Sequence, residues 1–315
     1  MTGRFQQRRF PMTLLLCVAP ALALVIPASA PAENFNFFGT FWETHQGNSF
    51  EAVGLGIPAS DMQAAFDTFT DEQRELTLLD AYDVDGGVFF NFVFRTKASP
   101  TWSARWGMSS SGYQEFFDEQ SAAGRCLRSL DVYRNGSNVR YAAVFKTHNC
   151  RGQRAYHGIS AQEHQERFED LAADGWDPVN VSAVTVGGER VYAAFYEKRQ
   201  GGFLLRTFLT RDGLGEVNAE QAALGRRIVY MNAYTHDQNA LPRFAAIWRT
   251  APPAAKTWAN FGGPQVFDLG DEMHDSGRFV RYLTAYGIGD SHRYDGAAFK
   301  PSVAPQIGGP GDLTD

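Results

Sequence analysis

The 315-residue chain carries 29 Lys and Arg against 35 Asp and Glu, a formal net charge of −6, and 44% of its residues are hydrophobic. An acidic surface of this kind offers no electrostatic attraction to nucleic acid or anionic lipid. Three cysteines cannot build a disulfide framework for so long a chain.

Residues 1–32 read as a secretory signal peptide: Arg4, Arg8 and Arg9 without an acidic residue, an apolar run from Met12 to Ile26, then small residues ending at Ala32. That run is shorter than the roughly 20 residues a spanning helix needs, so no transmembrane segment is expected in the mature chain. Cleavage after Ala32 leaves Glu33 first and removes three basic residues, giving 26 Lys and Arg against 35 Asp and Glu. The expected location is secreted or periplasmic, which permits a disulfide between Cys126 and Cys150. Pairing Tyr133 with Arg140 puts Cys126 opposite Thr147, so the bond needs a turn near Cys150.

The remainder repeats itself. Phe94, Phe145, Tyr196, Trp248 and Phe299 are separated by 51, 51, 52 and 51 residues. Gly124, Gly175, Gly225 and Gly277 keep the same beat, as do Met62, Tyr113, His164, Leu214 and Val266. These columns predict five repeats of about 51 residues, near 38–99, 100–150, 151–201, 202–254 and 255–300, within a single domain over 33–300. A Pro- and Gly-rich tail, 301–315, follows.

Each repeat translates into strand, helix and hairpin. The aromatic stretches TFWET (40–44), TWSARW (101–106) and KTWANF (256–261) suit a first strand. Ser60, Ser110 and Ser160 are candidate N-caps, the last with Glu163 in a capping-box pattern. Met62, Ala65, Phe66 and Phe69 recur at the spacing of one helical face. DVDGG (83–87), RNGSN (134–138) and VGGE (186–189) carry hairpin-turn chemistry. In RYAAVF (140–145) both alternating faces are apolar, so this strand is expected to be covered on both sides. The fold class is α+β, the five units stacking in a curved arc or a propeller-like ring.

Stacking lines up equivalent residues. Arg95, Lys146, Glu197, Arg249 and Lys300 form a basic row with one exception, and Asp67, Asp118, Glu169, Ala219 and Asp271 an acidic row with one exception. Opposite rows of equal length are expected to meet between repeats. The competing reading makes Arg95, Lys146, Arg249 and Lys300 a ligand-binding track. Places where the repeat falters, at Glu197 and around Gly213 to Ala219, are the other candidates.

Trp102, then Tyr113, Gln114, Phe117 and Asp118, then Gly124 and Arg125, then Arg140 to Phe145 form a pattern that recurs later as Arg243 to Trp248. It resembles the bacterial tandem repeat domain found as the N-terminal part of the polyglycine hydrolase family. The resemblance spans about residues 38–300 and is weakest in the fourth repeat, where Gly213 and Gly215 interrupt the helix pattern. It implies repeats that accompany a C-terminal serine hydrolase domain similar to a class C β-lactamase. No serine here has lysine three positions on, and neither a Gly-x-Ser-x-Gly nor a His-Glu-x-x-His pattern occurs. DVDGG lacks the later acidic positions of a calcium loop, and His164 shares its column with packing residues. The expectation is therefore a non-catalytic binding protein without cofactor or metal. Its partner would be a protein, a peptide, a cell-surface polymer or a separately encoded hydrolase. The alternative is an enzyme with an unfamiliar site in the repeat cleft.

Overall fold

The computed structural model describes residues 40–46, 49–97, 101–147, 152–199, 201–236, 241–251, 254 and 256–300. The signal-peptide reading, the 301–315 tail and Cys150 fall outside these residues.

In chain order the elements are β1 (Thr40–Gln46), β2 (Ser49–Pro58), α1 (Met62–Asp71), β3 (Arg74–Val84), β4 (Gly87–Thr96), β5 (Trp102–Met108), α2 (Ser110–Ala122), β6 (Cys126–Asn135) and β7 (Asn138–Lys146). Then come β8 (Gln153–Ile159), α3 (Ala161–Ala173), β9 (Trp176–Val186), β10 (Glu189–Lys198), β11 (Phe203–Leu209), α4 (Arg211–Ala223), β12 (Arg226–Thr235) and β13 (Pro242–Thr250). The last are β14 (Lys256–Phe261), α5 (Gly263–Ser276), β15 (Phe279–Ile288) and β16 (Ser291–Phe299). Strand, helix and hairpin thus recur as small antiparallel sheets ordered β5-β7-β6, β8-β10-β9, β11-β13-β12 and β14-β16-β15, preceded by the four-stranded β1-β2-β4-β3.

The extra strand corrects the expected start of the repeats. TFWET lies in β1, outside the common pattern, and β2 occupies the position of β5 and β8. Trp42 of β1 packs instead on α5, where a Cβ added to Gly270 would lie 3.3 Å from its ring.

Helix starts follow local chemistry. Ser160 caps α3, accepting from the Glu163 N–H at 3.2 Å while Glu163 reaches back to the Ser160 N–H at 2.8 Å. For α2 the cap is Ser109, one residue before the expected Ser110, and for α1 it is Asp61 rather than Ser60, without a side-chain cap bond. Despite Gly213 and Gly215, α4 runs unbroken, its Thr210 cap accepting from the Gly213 N–H at 3.1 Å. Gly124, Gly175, Gly225 and Gly277 all take positive φ just past their helices, as a left-handed stop requires, and Gln73 does so after α1.

RYAAVF lies in β7, the central strand of its sheet, and its two faces enter different cores. Ala142 and Val144 pack with α1 and the first sheet, whereas Tyr141, Ala143 and Phe145 pack with α2 and with Val179, Val184 and Phe195 of the third sheet. Each core holds one sheet's helix, that sheet's own face and the facing side of the next sheet. The core containing α5 is completed by Val53, Tyr82 and Val93 of the first sheet.

Tyr133 pairs with Arg140 as expected, but a bulge at Arg128 adds one residue to β6 and brings Cys126 opposite Lys146 rather than Thr147. Equivalent bulges fall at Thr77, Val179, Val229 and Arg281. The fifth sheet departs from the expected column: Tyr294 takes the place of Tyr141, so Ala298, and not Phe299, occupies the position of Phe145.

Candidate functional site

β3, β6, β9, β12 and β15 each form one edge of their sheet, and a free edge presents unpaired backbone groups. Here a side chain of the next sheet accepts from an N–H at the equivalent place on each of them. The Ala81 N–H donates to Asp131 Oδ2 at 2.6 Å, Val132 to Ser182 Oγ at 3.0 Å and Ala183 to Asn232 Oδ1 at 3.0 Å. Ala233 donates to Thr284 Oγ1 at 2.8 Å, and Ala285 to Asp80 Oδ2 at 3.1 Å. The fifth bond of the series therefore returns to the first sheet. Asp80, Asp131, Ser182, Asn232 and Thr284 are equivalent residues, and all five are buried.

Two of the five are carboxylates. Asp131 also accepts from Ser182 Oγ and from Asn232 Nδ2, and Asp80 from Asn91 Nδ2 at 2.7 Å and Thr284 Oγ1 at 3.0 Å. Burial raises both carboxyl pKa values, that of Asp80 strongly, with the nearby Asp131 charge adding to the rise. Neither makes a salt bridge among the described residues.

Above this row opens a small depression of about 10 Å³, lined by Ala81, Ala183, Ala233, Asn232 and the tyrosines at 82, 133, 234 and 286. At its half-buried margin Arg134 donates to Asp83 Oδ2 through Nε at 3.1 Å and through Nη2. Beside it Thr185 Oγ1 lies 3.2 Å from His236 Nδ1. Its tyrosines belong to the cores: Tyr82 reaches His292 at 2.8 Å and Tyr294 at 3.2 Å, two residues of the last sheet. His292 is pushed down to about 4 by burial, so it is neutral there.

The expected basic track lies elsewhere, and most of it is occupied. Arg95 bonds Glu51 at 2.9 Å and the Val280 carbonyl at 2.6 Å. Lys146 lies 3.3 Å from Glu75, and Arg249 bonds Asp177 at 2.7 Å and the Pro178 carbonyl at 2.9 Å. Lys300 is exposed just past β16. The expected meeting of basic and acidic rows does not occur: Asp67, Asp118 and Glu169 are exposed on their helices and accept from Gln63, Gln114 and Gln165 one turn earlier. The carboxylates that do meet the basic row come from neighbouring strands and were not singled out by spacing. Glu197 accepts from Gln153 at 2.9 Å and from Arg199 at 2.5 Å. His164, stacked on Tyr192 at 4.5 Å and pushed down to about 4 by burial, is a neutral packing residue.

Cys126 is buried at the start of β6, and its expected partner Cys150 lies outside the described residues. Among the described residues no group of His, Cys, Asp and Glu could hold a metal ion, and no helix is long and apolar enough to cross a membrane.

A search of curated proteins finds no match. A family model described as "Polyglycine hydrolase-like, structural repeat" matches residues 52–97, 99–148, 151–199 and 206–251, more than half of the chain. The start of its first match inside β2 agrees with the strand pairing that sets β1 apart. With the same strand, helix and hairpin recurring in sequence and in structure, the chain belongs to the polyglycine hydrolase-like structural repeat family.

Proposed function

We propose that the chain is a secreted, non-catalytic repeat protein whose five units close into a propeller-like ring, and that it presents the mouth of the ring axis to a protein, peptide or cell-surface polymer. The series of five equivalent hydrogen bonds carries the closed arrangement, because its last member joins Ala285 to Asp80. The inward polar side chains are committed to those bonds, and Arg95, Lys146 and Arg249 to internal carboxylates. Recognition therefore falls to the depression at the mouth and the margin around Asp83, Arg134 and Thr235. At about 10 Å³ it is far smaller than the roughly 300–1,000 Å³ of pockets that enclose a small molecule, so contact is made with the surface of a larger ligand. A second reading, a subunit accessory to a hydrolase, draws support from the family description.

The export signal and a Cys126–Cys150 disulfide belong to the same reading. N-terminal sequencing of the exported protein is expected to begin at Glu33, and thiol titration of that protein, denatured without reductant, to find no free thiol. Labelled full chain is applied to peptide and glycan arrays beside Thr235→Trp, which plugs the mouth. A ligand held by the wild type and lost by the variant supports the proposal, and equal binding by both places recognition elsewhere. Stoichiometric labelling of one serine by a fluorophosphonate probe would overturn the non-catalytic assignment.

A further inference from the structure

Two of the interfaces between successive units share an electrostatic device that the one between the fourth and fifth lacks. Glu75, Cys126, Asp177, Arg227 and Phe279 are equivalent residues at the start of β3, β6, β9, β12 and β15, and Arg95, Lys146, Glu197, Arg249 and Phe299 face them in register. Lys146 of the second unit meets Glu75 of the first, and Arg249 of the fourth meets Asp177 of the third. Between the fourth and fifth units the acidic position is held by Arg227 and the basic position by Phe299. Among the described residues Arg227 donates only to the carbonyls of Ala222 and Arg226, at 2.9 and 2.8 Å.

Next to Arg227 stands Arg281, the bulged residue of β15. It is only 6% exposed, and its Nε and Nη1 are sealed from solvent without a hydrogen-bond partner. That leaves Nη2 as the nitrogen open to solvent. Burial, together with the Arg227 charge, acts to lower the Arg281 pKa, yet a guanidinium stays charged in proteins. A buried, unpaired guanidinium is costly. Among the described residues neither Arg227 nor Arg281 makes an ion pair.

We propose that Arg281 and Arg227 form a binding site for a small oxyanion, a phosphate or sulfate group, in the interface between the fourth and fifth units. A guanidinium fork matches the oxygen spacing of such groups and binds them in charge-assisted pairs. The sealed Nε and Nη1 would gain the acceptors they lack, with entry past Nη2. A free ion and the same group esterified on a larger ligand carry the same chemistry.

The test is the thermal midpoint of the full chain in inorganic phosphate, in sulfate and in a phosphate monoester such as O-phosphoserine, each against chloride at equal ionic strength. The wild type is expected to show a saturable rise. Response to the inorganic ions alone would mark a buried ion site, whereas a response to the monoester as well would mark a ligand-recognition site, and either supports the proposal. In Arg281→Met the rise is expected to vanish, and in chloride this variant should melt no lower than wild type because an unpaired buried charge has been removed. If Arg281→Met does not fold, Arg227→Gln takes its place, with binding weakened about tenfold. Exposed Arg206→Gln serves as the control and should respond like the wild type. No rise in the wild type, or an equal rise in wild type, Arg281→Met and Arg227→Gln, overturns the proposal.

Discussion

Asp80 and Asp131 each accept at least three hydrogen bonds, yet both carboxyls titrate upward because burial disfavours their charge more than the donors favour it. A carboxyl whose folded pKa lies above its unfolded one favours the fold at acidic pH. That contribution is lost as pH rises through the folded value. The thermal midpoint is therefore expected to fall between about pH 5 and about pH 8, and to fall less in Asp131→Asn. Equal slopes in the two proteins would count against the assignment. Gly296 makes a steric demand: a Cβ there would overlap the Trp258 ring and lie 2.8 Å from the Tyr282 carbonyl. Gly296→Ala should cost about 1–3 kcal/mol by chemical denaturation, as overpacking does. Neither demand was legible beforehand, since sequence spacing reveals a column of residues but not what the column touches. The helix column did reveal its role, because the 3.6-residue period already assigns Met62, Tyr113, His164, Leu214 and Val266 to a buried face.

Among elements, strands β3, β6, β9, β12 and β15 show how small insertions defeat a register drawn from sequence. Each carries a bulge, and one extra residue is enough to move Cys126 from Thr147 to Lys146. In the fifth sheet the error has a different source. The fourth hairpin has a longer connection between Thr235 and Pro242, so a beat counted from Trp248 lands on Phe299, one place beyond the equivalent Ala298. Hairpins and helices survive such offsets because their signals are local, and RYAAVF could be read as doubly covered from its own alternation. Contacts between elements carry the larger energies. Glu51 is fully buried, its Oε2 bonded to Arg95 and its Oε1 accepting from the Val280 N–H at 2.7 Å, while Arg95 also holds the Val280 carbonyl. First and last sheets are clamped at one residue, Val280. Arg95→Ala should destabilise by about 3 kcal/mol, because it strands a buried acid, whereas Arg95→Met with Glu51→Leu should recover most of that loss. Urea titrations of the three proteins decide it; no recovery in the double variant would mean that packing, not charge, holds the clamp.

At the scale of the whole molecule, the charged rows change meaning. Counted along the sequence they were expected to meet each other between repeats, with a ligand track as the competing reading; in the structure most of the basic row pairs instead with carboxylates of neighbouring strands, and Arg227 and Arg281 stand where no acid meets them among the described residues. The closure itself is the claim on which the axial mouth depends. An arc and a ring differ in whether Ala285 finds Asp80, and sequence periodicity is blind to the small rotation per unit that decides this. Amide hydrogen exchange tests it with internal standards, since the N–H groups of Val132, Ala183 and Ala233 make the same bond within the series that Ala285 makes across the closure. The ring predicts that Ala285 is protected to the same degree as those three and, with Val280, exchanges only through global opening. Exchange of Ala285 and Val280 at the rate of an exposed strand edge, while the other three stay protected, would contradict it.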